Sequence, residues 1–289
     1  MVPLTFAYDW DLFEDENPRR NAMAEFAACG VRHLVLTDSL IKMIGRIPKL
    51  YLQLRREAAD AGLDFVDSHA PFGNETDISI PVAEWRPQML ERMKFTLSLV
   101  RDFGVDSCCV HINSTYYREY TVARHLDAAR ASLEALLPTA EDLGVTICLE
   151  NIFKPANSVD DVLTLIKEFP SPSLGACYDI GHANIMEHGK GNPDCLAYSR
   201  YEGIGEIPWE TDSLGRMLPH IVNCHLHDNR ADLDSHDIPG RGTVDWLALM
   251  PRLRTAPRLR SMQSEVIPVR RNHVPISTLV KSFESVTAL

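Results

Sequence analysis

Residues 146–179, TICLENIFKPANSVDDVLTLIKEFPSPSLGACYD, contain one complete unit of the fold. Thr146–Glu150 and Leu174–Asp179 are short apolar runs of strand type, and Val159–Glu168 between them is a longer amphipathic stretch of helix type. A strand, a helix and a second strand in this order form the βα repeat of a parallel sheet. Both strands end on a carboxylate, Glu150 and Asp179.

Outward from this unit the alternation continues to both ends of the chain. Further strands are expected at Leu4–Tyr8, His33–Leu36, Phe65–His69, Ser107–His111, Ile221–His225 and Ser261–Glu265, which brings the count to eight. Helical patterns fall at Arg19–Cys29, Ile47–Ala61, Arg86–Phe103, Val122–Leu143, Trp246–Arg254 and Ile276–Val286. Four of the helices run into a glycine just before the next strand, at Gly30, Gly62, Gly104 and Gly144. That position suits the left-handed residue that closes a helix. Eight such units of about 36 residues predict an α/β fold, a single (β/α)8 barrel. The doubly wound open sheet is the alternative, but TFAYDWDLFE follows the first strand where a glycine-rich nucleotide loop would stand. No linker or low-complexity segment interrupts the 289 residues, so 1–289 is read as one domain. Residues 186–218, rich in Gly, Pro and Tyr, read as a long βα loop with room for a short helix, and as a candidate substrate cover.

Composition limits the function. The net charge is -11, with 29 basic and 40 acidic residues, which disfavours nucleic acid as a partner. At 45% hydrophobic and 24% charged, the chain is neither disordered, collagenous nor a coiled coil. No apolar run reaches the roughly 18 residues of a membrane span. The start, MVPLTFAYDWDLFEDE, lacks a basic region before its apolar residues and so does not read as a secretory signal. A cytoplasmic location is expected, with no membrane partner and a homo-oligomer left open. Cys108, Cys109, Cys148, Cys177 and Cys224 lie inside strand runs and read as small core residues in a reducing compartment.

The strand ends carry the chemistry. From the third strand to the eighth they finish on His69, His111, Glu150, Asp179, His225 and Glu265. In a parallel barrel all eight C-terminal ends converge on one mouth. Singly, each residue has an ordinary role as a helix cap or a satisfied core group. Together, several carboxylates at one mouth repel one another unless a cation balances them. A divalent metal is the economical reading, with Glu150, Asp179, His225 and Glu265 as its core ligands. His69, His111, His182, Asp234 and His236 surround them as additional metal or substrate ligands. Mixed imidazole and carboxylate donors suit manganese or zinc better than calcium or magnesium.

CLEN at Cys148–Asn151, YDIGHAN at Tyr178–Asn184, HLHDN at His225–Asn229, PGRGTVDW at Pro239–Trp246 and SEV at Ser264–Val266 carry a resemblance. Across nearly its whole length the chain resembles the xylose isomerase-like TIM barrel superfamily, which includes sugar phosphate isomerases and epimerases and the endonuclease IV, or AP endonuclease 2, family. In ketose 3-epimerases of that superfamily, residues matching Glu150, Asp179, His225 and Glu265 bind one divalent metal, commonly manganese, and the two glutamates shuttle protons. The endonuclease IV resemblance implies up to three zinc ions, held by residues matching all nine candidates. His227 departs from the pattern, since relatives tend to carry Lys or Asn there. Two residues beyond His225 it faces the same side of the strand and competes as a ligand.

The expected activity is therefore a metal-dependent isomerase or epimerase acting on a small sugar or sugar phosphate. It would abstract the proton next to a carbonyl through a metal-stabilised enediolate, with Glu150 and Glu265 as base and acid. A keto-sugar dehydratase or lyase would share that first step. The alternative is a metal-dependent phosphodiesterase acting on abasic DNA; a catalytically silent sugar-binding barrel is a third reading. Lys154, Arg241 and His227 are further candidates for substrate binding. Trp10, Phe72, Tyr116, Tyr117 and Trp209 fall in or near presumed βα loops, where aromatics stack on sugars or pack locally. Arg270 and Arg271 follow the last ligand strand and could reach a substrate phosphate. Arg252, Arg254, Arg258 and Arg260 form the other basic cluster, read mainly as a solvated helix face.

Overall fold

The computed structural model describes residues 2–289. Its eight strands are β1 Leu4–Phe6, β2 His33–Leu36, β3 Asp64–Ser68, β4 Ser107–Val110, β5 Thr146–Glu150, β6 Leu174–Asp179, β7 Ile221–Leu226 and β8 Ser261–Ser264. All paired strands run parallel, in the order β3-β2-β1-β8-β7-β6-β5-β4. The remaining seam, between β3 and β4, is bridged by His69 opposite Cys109, and the Ala70 N–H donates to the Cys109 carbonyl at 2.9 Å. The result is a nearly closed α/β barrel, as the alternation predicts.

The outer helices are α1 Glu16–Ala28, α2 Asp38–Arg46, α3 Leu50–Asp60, α4 Arg86–Asp102, α5 Val122–Leu143, α6 Val159–Glu168, α7 Ile180–His188, α8 Leu196–Tyr201, α9 Ser213–Met217, α10 Trp246–Leu253 and α11 Ile276–Thr287. Their starts follow local chemistry. Thr37, Thr121 and Ser158 accept N–H bonds from the first turns of α2, α5 and α6, and Ser158 with Asp161 forms a reciprocal capping box. Gly144 (φ 65°) closes α5, and Gly30, Gly62 and Gly104 also take positive φ. The main core lies between strands and helices. Between α1 and α3 it contains a wholly buried ion pair, Arg19 with Glu57, joined at 2.8 and 2.9 Å.

Residues 186–218 hold more helix than the one short element expected: the end of α7 and all of α8 and α9. Inside the barrel, side chains two residues before the strand ends form the layer beneath the mouth. Cys109, Cys148 and Cys177 pack there with Val222, while Asp67 accepts from Asn223 (3.0 Å) and Ser261 (2.7 Å). All seven cysteines are free thiols; six are buried and Cys29 is half-buried. Among the described residues, no helix is long and apolar enough to cross a membrane.

Candidate metal centre and active site

The strand ends do converge. Glu150, Asp179, His225 and Glu265 each bring one donor atom within 4.8 Å of the others. His225 Nδ1 lies 3.1 Å from Glu265 Oε2, 3.5 Å from Glu150 Oε1 and 3.6 Å from Asp179 Oδ2. Asp179 and His225 are fully buried, Glu150 is nearly so, and the Glu265 side chain is 20% exposed. Neither ring nitrogen of His225 has a hydrogen-bond partner. Two buried carboxylates and the partly exposed Glu265 around an unpartnered imidazole form a donor set that fits a divalent cation. The Asp179 carboxylate also caps α7, accepting the His182 N–H at 2.6 Å, so α7 starts directly at the metal ligand.

Three of the four outer histidines are oriented in one way, while the Nδ1 of the fourth, His111, is unpartnered. His69 Nδ1 faces the Ala70 carbonyl at 2.8 Å, His182 Nδ1 the Asn151 carbonyl at 2.9 Å, and His236 Nδ1 the Glu265 carbonyl at 2.7 Å. A carbonyl oxygen only accepts, so each Nδ1 carries the proton and each Nε2 is left to bind something else. His69 Nε2 faces Glu150 Oε2 at 3.5 Å, while His182 Nε2 and His236 Nε2 face Asp234 Oδ2 at 3.6 and 3.2 Å. A bare imidazole nitrogen and a carboxylate both accept, so a proton or a metal must stand between them. Burial disfavours the imidazolium, yet Glu150 pushes His69 up to about 9 and Asp234 pushes His236 up to about 9. The site therefore attracts positive charge in two places. One surrounds Glu150, the other Asp234, with Asp179 and His182 between them.

His111 reaches Glu150 Oε2 at 3.0 Å; burial dominates there and lowers its pKa. His227 does not join the quartet through Glu150. Its Nε2 lies 3.1 and 3.2 Å from the two Asp179 oxygens, its Nδ1 is unpartnered, and its ring stacks on His236 at 4.1 Å.

Above these groups opens a cavity of about 490 Å³. Its wall includes His69, His111, Glu150, Lys154, His182, Asp234, His236 and Glu265, while Asp179, His225 and His227 lie beneath it. The wall also contains Tyr8, Asp9, Asp11, Thr37, Asp38 and Gln263, which the sequence reading did not single out. The first five follow β1 and β2, whose ends carry no metal-ligand residue type; their only signal was position at a strand end. Gln263 sits two residues before Glu265 on β8, in the inward register.

Several expected contacts are placed elsewhere. Arg241 is exposed on its turn and absent from the cavity wall. The motif around it has a structural cause: Asp228 accepts from Gly240 N, Val244 N and Trp246 Nε1 at 2.8, 3.2 and 3.1 Å. Residues 186–218 supply nothing to the cavity wall, so they do not cover it. Of the five aromatics only Phe72 lines the cavity, stacked on His111. Trp10 is buried against Tyr8 and Phe26, Tyr116 and Tyr117 pack around His125, and Trp209 packs with Tyr198. Lys154 is half-buried in the wall and not solvent-facing. Arg258 and Arg260 reach Leu174 and Thr146, the first residues of β6 and β5, at the end of the barrel opposite the mouth.

Comparison with known proteins agrees with this architecture. An uncharacterised protein of Methanocaldococcus jannaschii is 29% identical over 200 residues, 64% of this chain and 59% of that one. A probable endonuclease 4 of Mycoplasmopsis pulmonis is 26% identical over 127 residues, 42% of this chain and 41% of that one. The chain thus spans less than two thirds of the length of either relative. Among solved structures, a D-allulose 3-epimerase from Methylomonas sp. superposes with a TM-score of 0.74 at 14% identity, covering 99% of this chain and 98% of that one. A 3-keto-D-glucoside 4-epimerase from E. coli gives 0.71 at 16% identity, with both chains fully covered. An IOLI protein with a bound zinc atom gives 0.69 at 15%, covering 100% and 97%. At these identities the likeness establishes the fold. The family model described as xylose isomerase-like TIM barrel matches residues 24–258, and with the barrel and its ring of strand-end ligands in place the chain belongs to that family.

Proposed function

We propose that the chain is a divalent-metal-dependent isomerase or epimerase of a small sugar or sugar phosphate. One observation carries this reading: Glu150 and Glu265 meet at a shared donor set and both line the cavity. Glu150, Asp179, His225 and Glu265 would hold the ion, manganese or zinc. When bound, it lowers the cost of negative charge developing on a carbonyl oxygen and its neighbouring hydroxyl. One glutamate takes the proton from the carbon beside the carbonyl, and the other returns a proton to that carbon or its neighbour. Buried Asp179 and His225 hold the site from below. The epimerase neighbours of the same fold, and the zinc bound by the IOLI neighbour, support the reading.

The pairing of His182 and His236 with Asp234 favours a second reading, a phosphodiesterase of the endonuclease type with further ions at the outer donors. The placement of Arg258 and Arg260 away from the mouth and the net charge of -11 oppose it. The experiment is a direct comparison of metal-loaded protein on a ketose panel and on an abasic duplex. Formation of an epimer or an aldose-ketose isomer, lost in Glu265→Gln, supports the first reading. Duplex nicking without sugar conversion replaces it with the second. Elemental analysis adds the stoichiometry: about one ion per chain under the first reading, about three under the second.

A further inference from the structure

Beside the main cavity, separated from it by Lys154, lies a cleft of about 270 Å³. Asn113, Ser114, Thr115, Tyr116 and Arg118, after β4, form one side, and Ser199, Arg200 and Ile204, in and after α8, form the other. Three cations, Arg118, Lys154 and Arg200, line it without a carboxylate. Some surface arginines of this acidic chain are taken up by carboxylates, among them Arg20 with Asp60, Arg130 with Glu168, Arg252 with Asp212 and Arg270 with Asp11. Among the described residues, Arg118, Lys154 and Arg200 form no such pair, and Arg118 reaches only the Glu202 carbonyl, at 2.6 Å. The cleft also has unpartnered polar atoms, since Ser114 Oγ and Asn113 Oδ1 are buried without a hydrogen bond. Its loop is held rigidly: the buried Asp77 carboxylate accepts the Ser114 and Thr115 N–H groups at 3.1 and 2.9 Å and the Ser79 hydroxyl at 2.8 Å.

We propose that this cleft binds the phosphate of a phosphorylated sugar whose carbonyl end lies between Glu150 and Glu265. The assignment rests on the isomerase/epimerase reading and narrows its substrate class. Lys154 follows Glu150 by four residues and faces both spaces, so one molecule can lie across it with its anionic end in the cleft. Three separate cations match the two charges and three oxygens of a phosphate; a sugar carboxylate is satisfied by one bidentate arginine. Arg270 and Arg271 line the main cavity and not this cleft, and Arg270 is already paired with Asp11. Burial lowers the Lys154 pKa and nearby Arg200 lowers it further, so an incoming dianion relieves a repulsion already present. The segment 186–218, expected over the main cavity, thus contributes through Arg200 to the far end of the substrate.

The test is calorimetric titration of inorganic phosphate into metal-loaded full-length protein, with Lys154→Met, Arg200→Met and Glu265→Gln alongside. A free ketopentose, its 5-phosphate and a sugar acid are titrated in parallel. The expected result is one phosphate per chain, weakened about tenfold or more by Lys154→Met or Arg200→Met and retained in Glu265→Gln. The 5-phosphate should bind at least about tenfold more tightly than the free sugar, and Arg200→Met should erase that advantage. Equal affinity for the two sugars, or phosphate binding indifferent to both cation variants, overturns the proposal. Preference for the sugar acid over the sugar phosphate overturns the choice of phosphate. Phosphate binding in a protein that converts no sugar leaves the cleft standing and refutes the reaction, so the two failures are distinguishable.

Discussion

Asn151 and Asp179 exchange two hydrogen bonds across adjacent strand ends: Asn151 Nδ2 donates to the Asp179 carbonyl at 3.0 Å, and the Asp179 N–H donates to Asn151 Oδ1 at 2.9 Å. The pair ties the backbone of one proposed ligand to the side chain of the residue that follows another, Glu150. The Asn151 carbonyl also fixes the His182 ring. Supporting contacts of this kind set how tightly a metal is held.

Asn151→Leu should therefore lower manganese or zinc affinity by roughly 10- to 100-fold while the far-ultraviolet circular dichroism stays unchanged. Titration of the metal-free variant with either ion reads the effect. Unaltered affinity would show that the clamp serves the backbone alone.

Gly181 lies against His227: a Cβ on that residue would fall 1.9 Å from His227 Cε1. The imidazole is fully buried and bonded to Asp179, so it has little room to retreat. Gly181→Ala should cost about 1–3 kcal/mol through overpacking. The double variant Gly181→Ala/His227→Ala should recover much of that loss, giving a clear coupling in a thermal-unfolding cycle. Additive single effects would mean that the crowding is relieved elsewhere.

Asp228 is buried and satisfies the N–H groups of Asn229, Gly240 and Val244 as well as the Trp246 indole. Asp228→Ala strands these donors, at about 1–3 kcal/mol for each that stays buried, and should lower the melting temperature sharply. Limited proteolysis should then cut first within residues 229–245. Arg241→Ala, on the same turn but exposed, should change stability by no more than about 0.5 kcal/mol and leave sugar conversion unchanged. An activity loss in Arg241→Ala would place that side chain at the substrate after all.

The barrel and its ring of ligands were legible because each strand declares itself locally, and topology alone brings the strand ends together. Thr146–Glu150 and Leu174–Asp179 match the expected bounds at both ends. Four helices were not legible: α2, α7 and the short α8 and α9 within residues 186–218. The helix α7 begins at the residue after Asp179 and is buried continuously from Ile180 to Met186, so it has no polar face to give a period. The helix α2 is nine residues long and sits close before α3, where the two patterns run together. The wall built from Tyr8, Asp9, Thr37 and Asp38 was missed because β1 and β2 end in residues that bind no metal. Trp10 stands in a βα loop by sequence, yet it packs on Tyr8 and Phe26, partners that only the fold supplies.

The central claim is that Glu150 and Glu265 move a proton at the carbon beside a carbonyl. Solvent exchange tests it most directly: metal-loaded protein in D2O with a panel of ketoses and ketose phosphates, read by proton NMR and mass spectrometry. The account predicts one deuterium at the carbon next to the carbonyl in at least one substrate, at a rate that collapses in Glu265→Gln while the ion stays bound. No deuterium in any sugar of the panel, or exchange undiminished in Glu265→Gln, would contradict it.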